Sequence, residues 1–581
     1  MQQSGKKNPP SQHLFSMVPS TKIQRSQFIK QQSHKTTFDE SELIPFWWDE
    51  VLPGDTFNVQ ATLMARLATP FVPIMDNLYM DTFFFFVPRR LTWSHWENFM
   101  GAATPNTNST TDYTEPQTTA TDGVQTGDLW DYFGVPIKVD GLTFNCCLGR
   151  SYALIWDEWF RDENLQDTVF NNGFGTFGDG PDEYAQYTVL ARNKRHDYFT
   201  SCLPWPQKGP SVNIPLGGAA PVGNLFNYTD SDDLAVYPTM QIITMLEDGT
   251  VTSPLGGSTG DVGPVTDASG QWTLNAWNED DNEVYGSTYP ETDSEGYLVP
   301  NSSPTAPLSI GVPFGGLTAD LGAASAATIN ELRQAFQVQK LYERDARGGT
   351  RYTEILRAHF GVVSPDARLQ RPEYLGGQSV PIIINPVVQT SGSGITDQDT
   401  PQGNLAAFGV VTSHGNGFVK SFVEHGFVIG LVNIRGPLSY QQGLSRALSR
   451  QTRLDHYWPE LSHIGEQAVL NQEIYAQGPA GDGADEDVFG YQERYAEYRY
   501  SPNYITGQFR STATDPLDIW HLGYDYTALP VLGWPFIEDK PPVSRVVAVE
   551  DEPHFIFDSI TRNICARPMP TYGVPGYIDH F

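Results

Sequence analysis

The sequence predicts an all-β fold of antiparallel strands. Strand-like segments recur far apart along the chain, and no strand–helix alternation of the doubly wound α/β kind links them. Thr56–Leu67 is the clearest. Phe57, Val59, Ala61, Leu63, Ala65 and Leu67 fall on one face, and Asn58, Gln60, Thr62 and Arg66 on the other. Leu78–Val87 is apolar on both faces toward its end, as in a strand covered from two sides. Ser379–Gln389, Phe418–Ile434 and Val543–Phe557 read as further strands, the second as a pair broken near Glu424–Gly426.

Helices are few. Ser94 with Glu97 reads as a capping box opening a short helix that Gly101 closes. Thr328 with Glu331 opens a second over Ile329–Arg347, with Ile329, Leu332, Phe336 and Leu341 as a buried stripe. Arg351–Phe360, stopped by Gly361, is a third. Ala102–Gly127 and Leu225–Thr305 read as insertions, the latter acidic, rich in turn residues and expected to form small hairpins.

The chain has 581 residues, with 36 Lys and Arg against 68 Asp and Glu, a formal charge of -32. The longest bulky apolar run, Phe83–Val87, is far short of the ~20 residues of a membrane helix, and no signal-peptide pattern opens the chain. A large soluble globular protein without membrane insertion is expected. The four cysteines (Cys146, Cys147, Cys202, Cys565) suit buried thiols in a reducing compartment better than a disulfide scaffold.

The charge is unevenly placed. Residues 1–35 carry Lys6, Lys7, Lys22, Arg25, Lys30 and Lys35 and no acid, whereas residues 209–332 carry 16 acids and no Lys or Arg. The arm shows no sustained periodicity, so it is expected to be extended or disordered when free. Its six cations, with Phe15 and Phe28 between them, suit sequence-independent contact with nucleic acid. An ordinary polar N-terminus is the bland alternative.

No catalytic or metal motif stands up, and neither a cofactor nor enzymatic activity is expected. Gly173–Gly178 matches the spacing of a dinucleotide-binding loop, but Asp179–Gly180–Pro181 follows where a helix has to open. Gly256–Gly260 matches a nucleophile elbow with neither strand nor helix around it. The acids Glu279–Glu283 and Asp485–Asp487 lack calcium-loop spacing. Thirteen tryptophans, several in local pairs (Trp47/Trp48, Trp93/Trp96, Trp156/Trp159), serve either a core or subunit interfaces.

Several long strings carry a resemblance. They are Ile44–Thr56 (IPFWWDEVLPGDT), Met80–Arg90 (MDTFFFFVPRR), Trp156–Asn164 (WDEWFRDEN), Asp197–Gly209 (DYFTSCLPWPQKG) and Glu343–Tyr352 (ERDARGGTRY). In this order the chain resembles the major capsid proteins of gokushoviruses, small tailless single-stranded-DNA bacteriophages of the Microviridae. The resemblance runs from about residue 17 to the C-terminus, except through the two insertions.

It implies an eight-stranded antiparallel viral jelly roll and a T=1 icosahedral shell of about 60 copies around circular single-stranded DNA. It also implies an internal scaffolding protein, a small basic DNA-associated protein and a minor pilot protein as partners. The coat would assemble in the host bacterial cytoplasm and reside in the virion.

On this reading residues 1–35 are an interior arm and 36–224 the first part of the shell domain, with its insertion at 102–127. Residues 225–305 form a threefold protrusion that meets a bacterial surface receptor, with Trp272, Trp277, Glu279, Asp280, Asp281 and Tyr285 as its contact residues. Residues 306–581 complete the shell and end in an extended tail at Gly573–Phe581. A β-sandwich carbohydrate-binding protein or glycosidase, its Trp-rich loops acting as sugar platforms, is the alternative from another class. A free single-strand DNA-binding protein is a third reading, opposed by the acidic total.

Overall fold

In the computed structural model the described residues are 24–102, 112–169, 178–210, 331–347, 370–391, 402–481, 483–549 and 551–572. To these are added Val212, Ala358 and, within 222–330, the backbone of short strands and of one helix start. Nine strands build two antiparallel sheets. They are β1 (Ser26–Phe38), β2 (Ile44–Val51), β3 (Thr56–Leu67), β4 (Tyr79–Pro88), β5 (Glu373–Pro381), β6 (Ile383–Val388), β7 (Leu405–Ser421), β8 (Gly426–Arg435) and β9 (Phe555–Arg567). The five-stranded sheet has the order β1-β9-β3-β7-β6 and the four-stranded sheet β5-β4-β8-β2. With helices packed on the second sheet, the fold is mixed rather than purely all-β, around a jelly-roll-like core.

The inner faces of the sheets meet in one core that includes Phe46, Phe57, Leu63, Phe84, Val428 and Phe557. β3 alternates as its sequence predicts, its six apolar positions buried. β4 is apolar on both faces because each face has its own core. Phe84 and Phe86 point between the sheets, while Phe85 and Val87 pack in a second core under helix α1 (Cys147–Trp159). β8 lies between β4 and β2 and is buried at every residue. At Gly430 a side-chain carbon would come 2.9 Å from the Phe46 ring, so glycine is needed for the close approach.

Several expectations need correction. Ser379–Gln389 is not one strand. The chain leaves the second sheet at Pro381 and enters the first at Ile383, with the Ile382 amide donating to the Leu78 carbonyl between them. Proline interrupts a ladder because it has no N–H to donate. Val543 opens a 3₁₀ turn, and the final strand starts only at Phe555 and runs to Arg567. Ser559, Thr561 and Asn563 fill its inward positions while Ile556 and Ile560 face out, which inverts the usual alternation.

The short helix at Trp96–Phe99 is entered from His95 with no side-chain cap, so the Ser94–Glu97 box does not form; Gly101 does take a left-handed φ of 93°. The helix α2 (Ile329–Arg347) has the predicted bounds, but Phe336 and Leu341 are exposed rather than buried. Thr328 and nearly all of Arg351–Phe360 lie outside the described residues.

The sequence reading missed α1. Leu148, Tyr152, Ile155 and Trp156 are buried on it at helical spacing. The segment read as an insertion at 102–127 contributes Ala120 and Val124 to the same second core, and Gln117–Ala120 pairs with Leu142–Asn145. Residues 211–340 form a separate compact unit. Its backbone includes the antiparallel pair Trp272–Asn278 and Glu283–Thr288, in line with small hairpins in the acidic insertion.

Candidate assembly and nucleic-acid surfaces

Part of the basic arm belongs to the fold. From Ser26 it becomes β1 and pairs antiparallel with β9 along its whole length, Ser26 opposite Arg567 and Phe38 opposite Phe555. Residues 26–35 of the arm are therefore extended, as part of a sheet. Backbone ladder bonds to β9 hold a polar edge strand that has little apolar alternation of its own.

The three nominated cations within the described part already have partners. Lys30 Nζ lies 2.8 Å from Asp49, Lys35 Nζ 3.5 Å from Asp558, and Arg25 donates to Thr56 Oγ1 at 2.7 Å. Of these, the Lys35–Asp558 pair is exposed on both sides and contributes about 0–1 kcal/mol, so phosphate could displace it. Lys6, Lys7 and Lys22 lie outside the described residues.

Of the nominated host-contact residues, Trp272 and Trp277 fall on one strand of the insertion hairpin and Tyr285 on the other, with Ala276 opposite Tyr285 and Trp277 opposite Val284. Glu279, Asp280 and Asp281 lie outside the described residues, as do Gly173–Phe177 and the 256–260 string.

The outward face of the five-stranded sheet carries the apolar side chains that a core does not use. Ile29, Met64, Val419, Ile556 and Ile560 are exposed across four adjacent strands. A second exposed group is aromatic, with Tyr457, Tyr498, Tyr500 and Tyr504 between residues 457 and 504, Tyr504 being 82% exposed. Apolar and tyrosine-rich patches on this scale are how subunit contacts are built. The tryptophans divide accordingly. Trp47, Trp93, Trp96, Trp130 and Trp156 are buried, whereas Trp48 and Trp159 remain partly exposed.

The buried polar clusters are structural. Cys146 donates its thiol to Asp182, and burial pushes its pKa up, so it stays protonated and is no nucleophile. All four cysteines are buried and unbridged, as small apolar residues would be. Asp485 accepts from the Gln477 and Gly478 amides at 2.9 and 2.7 Å, closing a loop. Asp39, Glu40 and His554 come together where β1 ends and β9 begins. The His554 ring Nδ1 lies 2.7 Å from Glu40, whose hydrogen bond raises the imidazole pKa and ties this corner together.

Over residues 16–577 the chain matches the family described as capsid protein (F protein). It is 44% identical to the capsid protein VP1 of Bdellovibrio phage phiMH2K, across 98% of this chain and 99% of that one. It is 43% identical to the capsid protein VP1 of Chlamydia phage 1, across 97% of each chain. With the capsid protein VP1 of Spiroplasma virus 4 it shares 36% identity, again across 97% of each.

Proposed function

The chain belongs to the capsid protein (F protein) family, and on that premise we propose that its copies tile into a closed T=1 icosahedral shell of about 60 subunits around circular single-stranded DNA. It is a structural, self-assembling coat protein of a single-stranded-DNA phage, a virion component and not an enzyme. The observation that carries this is the end-to-end identity with three coat proteins, each covered almost completely. That coverage leaves the carbohydrate-binding and glycosidase alternative without support.

The eight-stranded jelly roll is supported by strand order. β1, β9, β3 and β7 neighbour one another in one sheet, and β2, β8, β4 and β5 in the other. β1 to β4 alternate between the sheets, β4 and β5 pair in one sheet, and β7 to β9 alternate again, so strands return beside distant ones as two interlocked Greek keys do, with β6 as an extra edge strand.

Charge supports the polarity of the shell. The arm with Lys6, Lys7, Lys22, Arg25, Lys30 and Lys35 faces DNA, and the acidic 225–305 insertion projects outward to a bacterial receptor through Trp272, Trp277, Glu279, Asp280, Asp281 and Tyr285. Assembly takes place in the host cytoplasm with the internal scaffolding protein, the small basic DNA-associated protein and the pilot protein that the family resemblance implies.

Sedimentation of the chain co-expressed with its scaffold tests the reading. Closed shells are expected, and material that stays at monomer or small-oligomer size would contradict it.

A further inference from the structure

A cavity of about 620 Å³ opens beside the second core, where the end of α1 meets β4 and β5. Phe83, Phe85 and Phe160 form its floor, with Phe83 and Phe160 ring centres 5.2 Å apart. Trp159 and Tyr374 stand over Phe85 at 5.6 and 5.5 Å and lie 5.9 Å from each other. The Trp159 indole N–H donates to the Pro372 carbonyl at 2.9 Å, which fixes the ring plane. Arg371 lies over the Trp159 ring at 5.2 Å, and Trp159 and Tyr374 are 40% and 43% exposed, so each ring keeps part of its surface open. This is a stacking platform with its supporting ring buried beneath it.

The rest of the lining is basic. Arg192, Lys194 and Arg195 put three cations into four residues of a chain whose net charge is -32. They are not equivalent. Arg192 is held by Asp81 at 2.5 Å and lies 5.2 Å over Phe83, and Lys194 turns inward to the Phe536 carbonyl. Arg161 pairs with Asp157 at 3.2 Å. Arg195 is exposed and has no ion pair among the described residues. Asp162, the carboxylate in the lining, accepts from the Asn164 and Leu165 amides at 2.9 and 3.2 Å. The cavity therefore offers a ligand the open parts of two aromatic rings, one of them backed by the Arg371 guanidinium, and the side chain of Arg195.

We infer that this cavity takes one nucleotide of the enclosed single-stranded DNA, the base against Trp159 and Tyr374 and a phosphate at Arg195. Stacking accepts any base and a guanidinium any phosphate, so the site is indifferent to sequence, as a coat repeated along one genome requires. A neutral sugar or an apolar peptide would use the rings but give Arg195 no counter-charge. The inference rests on the reading of the protein as a coat around single-stranded DNA, and it adds a contact separate from the N-terminal arm.

Ultraviolet crosslinking of intact DNA-filled particles, followed by nuclease and protease digestion and mass spectrometry, tests it in place. Nucleotide adducts on Trp159 or Tyr374 are expected, and adducts confined to other segments would overturn the assignment.

Fluorescence anisotropy with the purified full chain and an oligothymidylate of about ten residues adds a second readout. Tyr374→Leu should weaken binding about tenfold and Tyr374→Phe should restore it. Arg195→Ala should reduce the slope of log affinity against log salt by about 0.7. An abasic oligomer should bind wild type and Tyr374→Leu alike. Wild-type affinity in both Tyr374→Leu and Arg195→Ala would overturn the proposal. So would tighter competition for the cavity by a peptide of residues 573–581, which would assign it to a neighbouring tail. Sedimentation of the same variants separates the two readings. Shells that form without adducts at these rings contradict only the cavity, whereas a wild-type chain that forms no shells contradicts the coat itself.

Discussion

Arg150 on α1 and Asp182 in the following loop form a two-point ion pair, with Nη2 2.6 Å from Oδ1 and Nε 2.8 Å from Oδ2. Their side chains are only 1% and 5% exposed. The remaining guanidinium nitrogen donates to the Thr92 and Gly178 carbonyls, and Asp182 also accepts from Tyr187 and Cys146. One buried pair thus ties α1 to the turn after β4 and to the 178–187 loop. Asp182→Asn leaves a buried guanidinium without its counter-charge and should cost about 3–5 kcal/mol in thermal unfolding. Replacing both, Arg150→Met with Asp182→Leu, should cost less than the single change. Equal or greater loss in the double variant would show that the pair is not the unit that matters.

The corner between β1 and β2 should loosen as pH rises. Burial lifts the Glu42 carboxyl from 4.5 to about 7, helped by the Asp39 and Glu40 carboxylates and opposed by the Asp39 amide. His554 is raised as well, first by its hydrogen bond to Glu40. Both shifts are upward, so their stabilisation is complete below the unfolded-state values and fades as pH rises through the folded ones. Melting of the isolated chain should therefore weaken between about pH 5 and pH 8. Glu42→Gln should raise stability at pH 8 by up to about 3 kcal/mol and flatten the profile. An unchanged profile in that variant would rule Glu42 out as its source.

Val419 points out of the five-stranded sheet and is 71% exposed. Val419→Lys should leave the subunit folded by circular dichroism yet cut the yield of shells at least about tenfold, since a charge has to be desolvated at a subunit contact. Full shell yield would place the contact elsewhere.

Much of this architecture was legible in the residues. β3 shows clean alternation because one face is dry and the other wet, and β8 was found as a run with a break before it. The misses share a cause. β1 is an edge strand held by backbone bonds, and β9 puts Ser559, Thr561 and Asn563 inward, so neither shows the expected period. α1 is buried over most of its circumference, which blurs the apolar stripe that marks a surface helix. The arm's cations were visible, but their carboxylate partners were not, because Lys35 and Asp558 are neighbours only after the chain ends meet. The basic aromatic cavity assembles Phe85, Trp159, Arg195 and Tyr374 from four separated segments, and no linear motif announces it.

Protease treatment of intact particles tests the inward arm. The paired strand from Ser26 resists cleavage wherever it lies, so the informative bonds are those N-terminal to it. Residues 1–25 should be spared in full particles and removed from dissociated subunits. Their ready removal from full particles would place the arm outside.

Deletion of residues 225–305, with a short glycine linker, should leave shells that sediment normally and no longer attach to host cells. The compact unit at 211–340 contains this segment, which is why the sheets are expected to survive its loss. Failure to form particles would make the insertion structural instead.

The most direct test is electron cryo-microscopy of purified infectious particles at a resolution that traces side chains. The coat should resolve into about 60 copies of this chain, their paired sheets forming the wall. A coat traced to a different polypeptide would contradict the account.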